Sequence, residues 1–244
     1  RDTLLAYRPI KGIPMDLHND IVSYWNLRAQ GYSQSNREEF ADKQSLYGRL
    51  LSHWASQITA ANPKALDLGC GPGFFSLILA QTGFDVTGVD ASPEMIKNAC
   101  ENARANDLNI QFVLSDATDP DVRGPFDLIV TRNLVWNLPD PATAYKNWSK
   151  LLKSDGLLLI FDGNHYYYLT DSKYQFPESP RSSHKHIGQV DPLVMQKIAG
   201  KLPMSKHLRP EYDISLLQRS GLVVRQQQIL RTVNRDNEDL VADF

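Results

Sequence analysis

The chain has 244 residues, 42% of them hydrophobic and 22% charged, which suits one soluble globular domain with a sizeable core and room for an insertion or cap. A net charge of −2, a pI near 6.3 and the lack of any Lys/Arg-rich run argue against a protein that lives on phosphate backbones. No apolar run nears the roughly 20 residues that span a bilayer, residues 1–12 lack a signal-peptide core, and Cys70 and Cys100 form no disulfide framework, so a reducing, cytoplasmic setting is expected.

Residues 1–62 read as a helical segment ahead of the sheet. Within it, 38–59 forms a second helix, with Phe40, Leu46, Leu50, Leu51 and Trp54 at core-facing intervals. From there strand and helix alternate, as a parallel sheet requires. Strands are expected near 64–68, 85–90, 110–114, 126–131 and 157–162, and helices near 73–82, 92–105 and 140–152. Ser92 is a plausible N-cap, with Pro93 in the first turn behind it.

After Gly163 the alternation stops. The next stretch holds Tyr166-Tyr167-Tyr168, a Pro/Ser-rich run at 176–183 and a weak helix near 192–200. A segment this long after the fifth strand reads as a substrate-covering insertion over 163–210. A helix over 212–220 ends at Gly221, 222–233 reads as a sixth strand, and 239–244 as either a seventh strand cut short or a truncated tail. The expected fold class is therefore α/β, a doubly wound, Rossmann-like, mostly parallel seven-stranded sheet. Its organisation would be 1–62 as a helical cofactor lid and 63–244 as the sheet domain.

The chemistry concentrates in Asp67-Leu68-Gly69-Cys70-Gly71-Pro72-Gly73, a strand that opens into a glycine turn and then a helix. Glycines there let backbone approach a ligand closely. A dinucleotide fingerprint would need its third glycine where Phe74 stands, and no Gly-Lys-Ser/Thr follows to make a phosphate loop. Asp90 closes the next strand, where a carboxylate can accept both ribose hydroxyls of an adenosine. Its bland alternative is a carboxylate that favours a helix N-terminus.

Asp-x-Gly-x-Gly-x-Gly resembles motif I of the class I S-adenosylmethionine-dependent methyltransferases, in particular the small-molecule, type 11-like domain. Further resemblances follow in order: Asp90 to Met95, Ser115-Asp116-Ala117, 126–130 with 138–140, and 151–160. Together these cover 62–162. The resemblance implies S-adenosylmethionine as cofactor and S-adenosylhomocysteine as product. It places Asp67, Gly69, Gly71 and Gly73 at the methionine end, Asp90 and Ala91 at the ribose, and Met95, Asp116 and Ala117 at the adenine. Asn133 and Leu134 would line the methionine arm. Tyr24, Trp25, Arg28 and Tyr32 match the pre-domain helix that folds over the cofactor; Tyr24, Arg28 and Tyr32 go to the cofactor and Trp25 to the acceptor.

Where the family often carries a polar residue after the fourth strand, Val135-Trp136-Asn137 stands, which removes one general-base candidate. The weak catalytic candidate is then His165. Trp136, Tyr166 and Tyr168 are candidate acceptor contacts, each alternatively a core ring. His184-x-His186 lacks the further ligands of a zinc pattern, so no metal is expected. The absence of Asn-Pro-Pro-Tyr argues against amino-group methylation of nucleobases or glutamine. The favoured partner is a small organic acceptor, with no nucleic acid, no membrane, and a monomer or homodimer. An RNA or protein methyltransferase and a non-catalytic cofactor-binding module remain the alternatives.

Overall fold

The computed structural model describes residues 15–42, 45–174, 186 and 190–227. Two helices precede the sheet, α1 (Met15–Ala41) and α2 (Leu46–Ala55). The first runs straight through the position where a second helix was expected to begin. Its last turns are held by Arg132, which bonds Glu39 at 2.9 Å and Asn36 at 3.1 Å, so helix continues to Ala41. The second helix starts only after Ser45, whose hydroxyl accepts the Gly48 amide.

Strands β1 (Lys64–Leu68), β2 (Asp85–Asp90), β3 (Gln111–Leu114), β4 (Phe126–Arg132) and β5 (Leu152–Phe161) pair in the order β3-β2-β1-β4-β5, all in parallel. Helices α3 (Phe74–Gln81), α4 (Pro93–Ala105) and α5 (Pro141–Leu151) lie in the crossovers between them. Their entries follow the local chemistry. Ser92 caps α4 by accepting the Met95 amide, Asp140 caps α5 by accepting the Thr143 amide, and each helix has proline in its first turn.

The central strands are apolar on both faces, as parallel strands covered by helices must be. Leu66, Leu68 and Ile129 point into one core with Leu17, Ile21, Tyr145 and Trp148. Ala65, Leu128 and Val130 point into the other with Leu51, Phe75 and Leu79. Fully burying a leucine such as Leu66 contributes about 2 kcal/mol. The order reverses at β1 and β4, which puts the crevice beyond their carboxyl ends.

Among the described residues the sheet has five strands, not the seven expected. Residues 222–227 open with the apolar Leu222, Val223 and Val224 but form no strand, and Val223 is 84% exposed. An apolar run specifies a strand only when a neighbouring ladder takes up its backbone groups, and none does so here. The rest of the expected sixth strand and all of the seventh lie outside the described residues. The fifth strand begins earlier than its apolar run suggests. Residues from Leu152 pair with the start of β4 through a register shift, beside a 2.6 Å contact of Lys153 with Asp127.

Several of the described residues after β5 form short helices and pack on the domain. They form a short 3-10 turn (Tyr167–Leu169), α6 (Pro192–Ala199), a second such turn (Pro203–Ser205) and α7 (Glu211–Arg219), and Met195 and Ile198 join the core of α1. The Pro/Ser-rich run at 176–183 and His184 lie outside the described residues. As expected, α7 ends at Gly221, whose φ of +81° suits a residue without Cβ. Among the described residues no helix is long and apolar enough to cross a membrane.

A buried charge network anchors this segment. The Arg209 guanidinium reaches Asp162 at 2.9 Å, Asp213 at 2.6 and 3.0 Å, and the Gly163 carbonyl at 3.2 Å. The Tyr145 hydroxyl donates to Asp213, while Asn164 and Arg209 exchange bonds at 2.8 and 2.9 Å. Burial alone would raise the Asp162 carboxyl, but Arg209, His165 and the Gly163 amide outweigh it and hold it at about 2. Arg209→Met leaves Asp162 and Asp213 buried without their counter-ion. Thermal melts should show a loss of about 3–5 kcal/mol. An unchanged melting temperature would mean that the network contributes nothing.

Candidate functional site

At the carboxyl end of β1 the chain turns through Gly69, Gly71 and Gly73, all at positive φ. Two of these glycines answer to different neighbours. A Cβ at Gly69 would lie 2.7 Å from the Leu134 side chain, so this glycine makes room for the turn after β4. A Cβ at Gly71 would enter the space bounded by the Tyr32 ring at 3.5 Å and the Met95 sulfur at 4.0 Å. The structure therefore brings the predicted Gly71, Tyr32 and Met95 together, and Gly69 against Leu134.

Two carboxylates flank that turn. Asp67, 2% exposed, accepts the Ser76 hydroxyl at 2.6 Å. Burial pushes its carboxyl up to about 7, against the opposing pull of Ser76 and Arg132. Asp90 accepts the Gly71 amide at 2.9 Å and the Ser92 amide at 2.8 Å. Burial raises it to about 6, with the Ser92, Gly71 and Ala91 amides opposing. Each bond takes one lone pair of a carboxylate oxygen, and each carboxylate has acceptor capacity beyond these bonds. Cys70, buried in the same turn, has its thiol pushed well above the ordinary range, chiefly by burial.

At the end of β3, Asp116 accepts the Thr118 amide at 2.7 Å and meets His18 of α1 at 3.3 Å. The Ala117 carbonyl accepts the Trp148 indole, which fixes this turn against α5. Asp119, a neighbouring alternative to Asp116, is 3.3 Å from Asn147 on α5. After β4, Asn133 sits at φ +53°, donates its amide to Phe161 and accepts the Trp136 indole at 2.8 Å.

A second group of predicted residues lies beyond β4 and β5. Trp136 stacks at 5.1 Å on Tyr166, which lies 5.9 Å from Tyr168, and the His165 ring is 5.5 Å from Trp136. Tyr167 is not part of this ladder and packs on Tyr174 instead. His165 Nε2 is 3.3 Å from Asp162, whose other oxygen accepts the Trp136 amide at 3.1 Å. Helix α1 crosses above both groups. Trp25 lies 5.4 Å from Tyr24 and 5.7 Å from Tyr32, and Arg28 is buried next to Tyr24. The helix is fastened to α4 where Ser92 donates to Asn26 at 2.6 Å and where Asn102 meets Ser33 at 3.3 Å.

Sequence reading missed Asp162, Arg132 and His18. The signal for the first two is a charge that ends a strand of otherwise buried apolar residues. Arg132 stacks over Phe74 at 4.3 Å while pairing with Glu39. His18 carried no signal, because only the fold brings it to Asp116. Among the described residues, no group of three His, Cys, Asp or Glu could hold a metal ion.

These features fit an adenosyl ligand with a charged amino-acid end: a glycine turn at positive φ that faces Tyr32 and Met95, a buried and a half-buried carboxylate near the ends of adjacent strands, and an acidic turn after the third strand. The class so defined is that of the S-adenosylmethionine-dependent methyltransferases. A family model described as a methyltransferase domain matches residues 60–236, well over half of the chain, and the chain belongs to that family. It is 32% identical over 149 residues to a ubiquinone biosynthesis O-methyltransferase of Coxiella burnetii strain Dugway 5J108-111, covering 58% of this chain and 63% of the relative. Its namesake in Caulobacter sp. strain K31 is 36% identical over 99 residues, 40% of this chain and 39% of that one. The chain thus spans about two to three fifths of the length of these curated relatives. The solved PH0226 protein of Pyrococcus horikoshii aligns with a TM-score of 0.46 at 27% identity, over 54% of this chain and 65% of that one.

A carboxyl that titrates higher when folded than when unfolded keeps its proton longer in the native state, so stability falls as pH rises. For Asp67 that interval runs from about 4, its unfolded value, to about 7. Asp67→Asn should accordingly raise the ligand-free melting temperature at pH 8 by on the order of 5 °C and leave it nearly unchanged at pH 4. Equal effects at both pH values would show that Asp67 does not titrate in this interval.

Proposed function

We propose that the chain transfers a methyl group from S-adenosylmethionine to an oxygen of a small organic acceptor, with α1 as the lid and the segment over 163–210 as the acceptor's cover. The observation that carries this reading is Asp90, held at the end of β2 by the amides of Ser92 and of Gly71, the turn glycine that faces Tyr32 and Met95. In that place it accepts the ribose hydroxyls. Asp67 faces the ammonium end, Asp116 and the Ala117 backbone read the adenine above Met95, and the turn at Asn133 and Leu134 lines the methionine arm. Tyr24 and Tyr32 close over the cofactor from α1. The oxygen acceptor follows the O-methyltransferase names of the relatives. Two free cysteines in a chain of this length favour a reducing, cytoplasmic setting.

The cofactor, when bound, supplies a methyl group on a sulfonium that needs no further activation. The protein's part is alignment and exclusion of water, worth about 7–11 kcal/mol in favourable cases. Trp25, Trp136, Tyr166 and Tyr168 wall the acceptor and keep water out. His165 takes the acceptor's hydroxyl proton. Its ring lies 3.3 Å from Asp162, and that ionised carboxylate stabilises the imidazolium that forms.

Calorimetric titration with S-adenosylhomocysteine tests the cofactor site. Asp90→Ala should weaken binding by about tenfold or more, since it removes a charge-assisted pair. Gly71→Val should abolish binding. Normal affinity in both variants would overturn the site assignment. His165→Ala should lower kcat by about 10²–10⁴-fold while leaving the S-adenosylhomocysteine affinity unchanged. A full-rate His165→Ala enzyme would remove the base from the mechanism.

A further inference from the structure

His18 stands in the first turn of α1, and the fold sets its ring beside the turn that follows β3. Its Nδ1 lies 3.3 Å from Asp116 Oδ2, and each of the two side chains is 14% exposed. The residues on either side seat that contact. Leu17, next to His18, and Ala117, next to Asp116, are buried in one core cluster, and the Ala117 carbonyl is tied down by the Trp148 indole at 2.7 Å. Ring and carboxylate therefore meet at a place fixed by packing from both elements.

This turn stands next to Asp90. β3 pairs with β2 as far as Leu114, opposite Asp90, and the Ser115 amide then donates to the Asp90 carbonyl at 3.0 Å. Neighbouring strands are roughly 5 Å apart, so a nucleoside whose ribose meets Asp90 carries its base toward Asp116. The two oxygens of Asp116 are held from different directions. The Thr118 amide, in the same turn, donates to Oδ1 at 2.7 Å, while Oδ2 meets the His18 ring of α1. One such bond leaves a carboxylate free to swing about it, and two set its plane. Each oxygen keeps acceptor capacity beyond the bond it makes, and the plane decides where a further donor must stand. The neighbouring Asp119 is turned to Asn147 of α5 instead.

We infer that His18 is a positioning residue for cofactor selection: by donating its ring N–H to Oδ2, it aims the Asp116 carboxylate at the exocyclic amine of adenine, and so makes the site reject a purine that carries a carbonyl there. The inference rests on the methyltransferase reading above, with Asp116 at the adenine. A carboxylate fixed in plane accepts the amine but meets a carbonyl oxygen acceptor against acceptor. A carboxylate free to turn swings aside and lets water bridge the two, which erases the discrimination. His18 acts through Asp116, not on the methyl transfer itself.

The test titrates the full chain calorimetrically with S-adenosylhomocysteine and with S-inosylhomocysteine, in which a carbonyl oxygen replaces the amine. The wild type should bind the adenosyl ligand about tenfold or more tightly than the inosyl one, and Asp116→Ala should bring that ratio to within about twofold. His18→Phe keeps a ring for packing but has no donor, and should cut the ratio to about threefold or less. His18→Asn, whose side-chain amide donates from the place of Nδ1, should keep most of it. The ratio is read within one protein, so a variant folded only in part changes both titrations alike and leaves the ratio readable. The inference is overturned if His18→Phe keeps the wild-type ratio, even while weakening both ligands together as a merely structural fastening of α1 would, or if His18→Asn loses the ratio as fully as His18→Phe. A wild type that binds both ligands equally well removes Asp116 from the adenine and this inference with it, while the cofactor site stands. A wild type that binds neither brings down the methyltransferase reading itself.

Discussion

The clasp of Arg209 between Asp162 and Asp213 is the interaction on which the rest of the site depends. Residues after a sheet's last ordered strand have no ladder to hold them, and their backbone would otherwise need water. Here one guanidinium joins the end of β5, the Gly163 carbonyl and the first turn of α7, and Tyr145 ties the same cluster to α5. Asp162 is thereby fixed and ionised, and it can hold both the Trp136 amide and His165. The aromatic ladder and the base candidate inherit their positions from that one carboxylate.

The carboxyl ends of the strands carry a graded set of charges in nearly dry surroundings. Asp67 and Asp90 are raised chiefly by burial, while Asp162 is lowered because its cation is adjacent. Burial alone therefore does not decide ionisation; the partner does. Carboxylates kept near neutrality without a strong internal cation are suited to a ligand that brings ammonium and hydroxyl donors of its own. Arg132 meanwhile gives its charge to Glu39 and its flat face to Phe74, binding α1 to the sheet.

The alternation of apolar runs with helical stretches made the five described strands and the helices between them legible from sequence, because period and caps are local properties. The glycine turn and Asp90 were legible for the same reason. What could not be read was pairing at a distance. Asp162 and Arg209 are far apart in the chain, as are His18 and Asp116 and Arg132 and Glu39, and each pair exists only once the sheet has formed. The early start of β5 depends on a register shift against β4, which its own residues do not announce. The end of α1 was misplaced because helix breaks there are set by Ser45 and by Arg132, not by the apolar spacing that seemed to open a new helix at 38.

Ser92 has more than one duty. Its amide donates to Asp90, its hydroxyl accepts the Met95 amide to start α4, and the same hydroxyl donates to Asn26 on α1. The carboxylate at the end of β2 and the attachment of α1 thus share one residue. Any ligand that steadies Asp90 steadies that attachment, and any displacement of α1 loosens Asp90. Under the proposed function, cofactor occupancy and the seating of α1 would be one cooperative event.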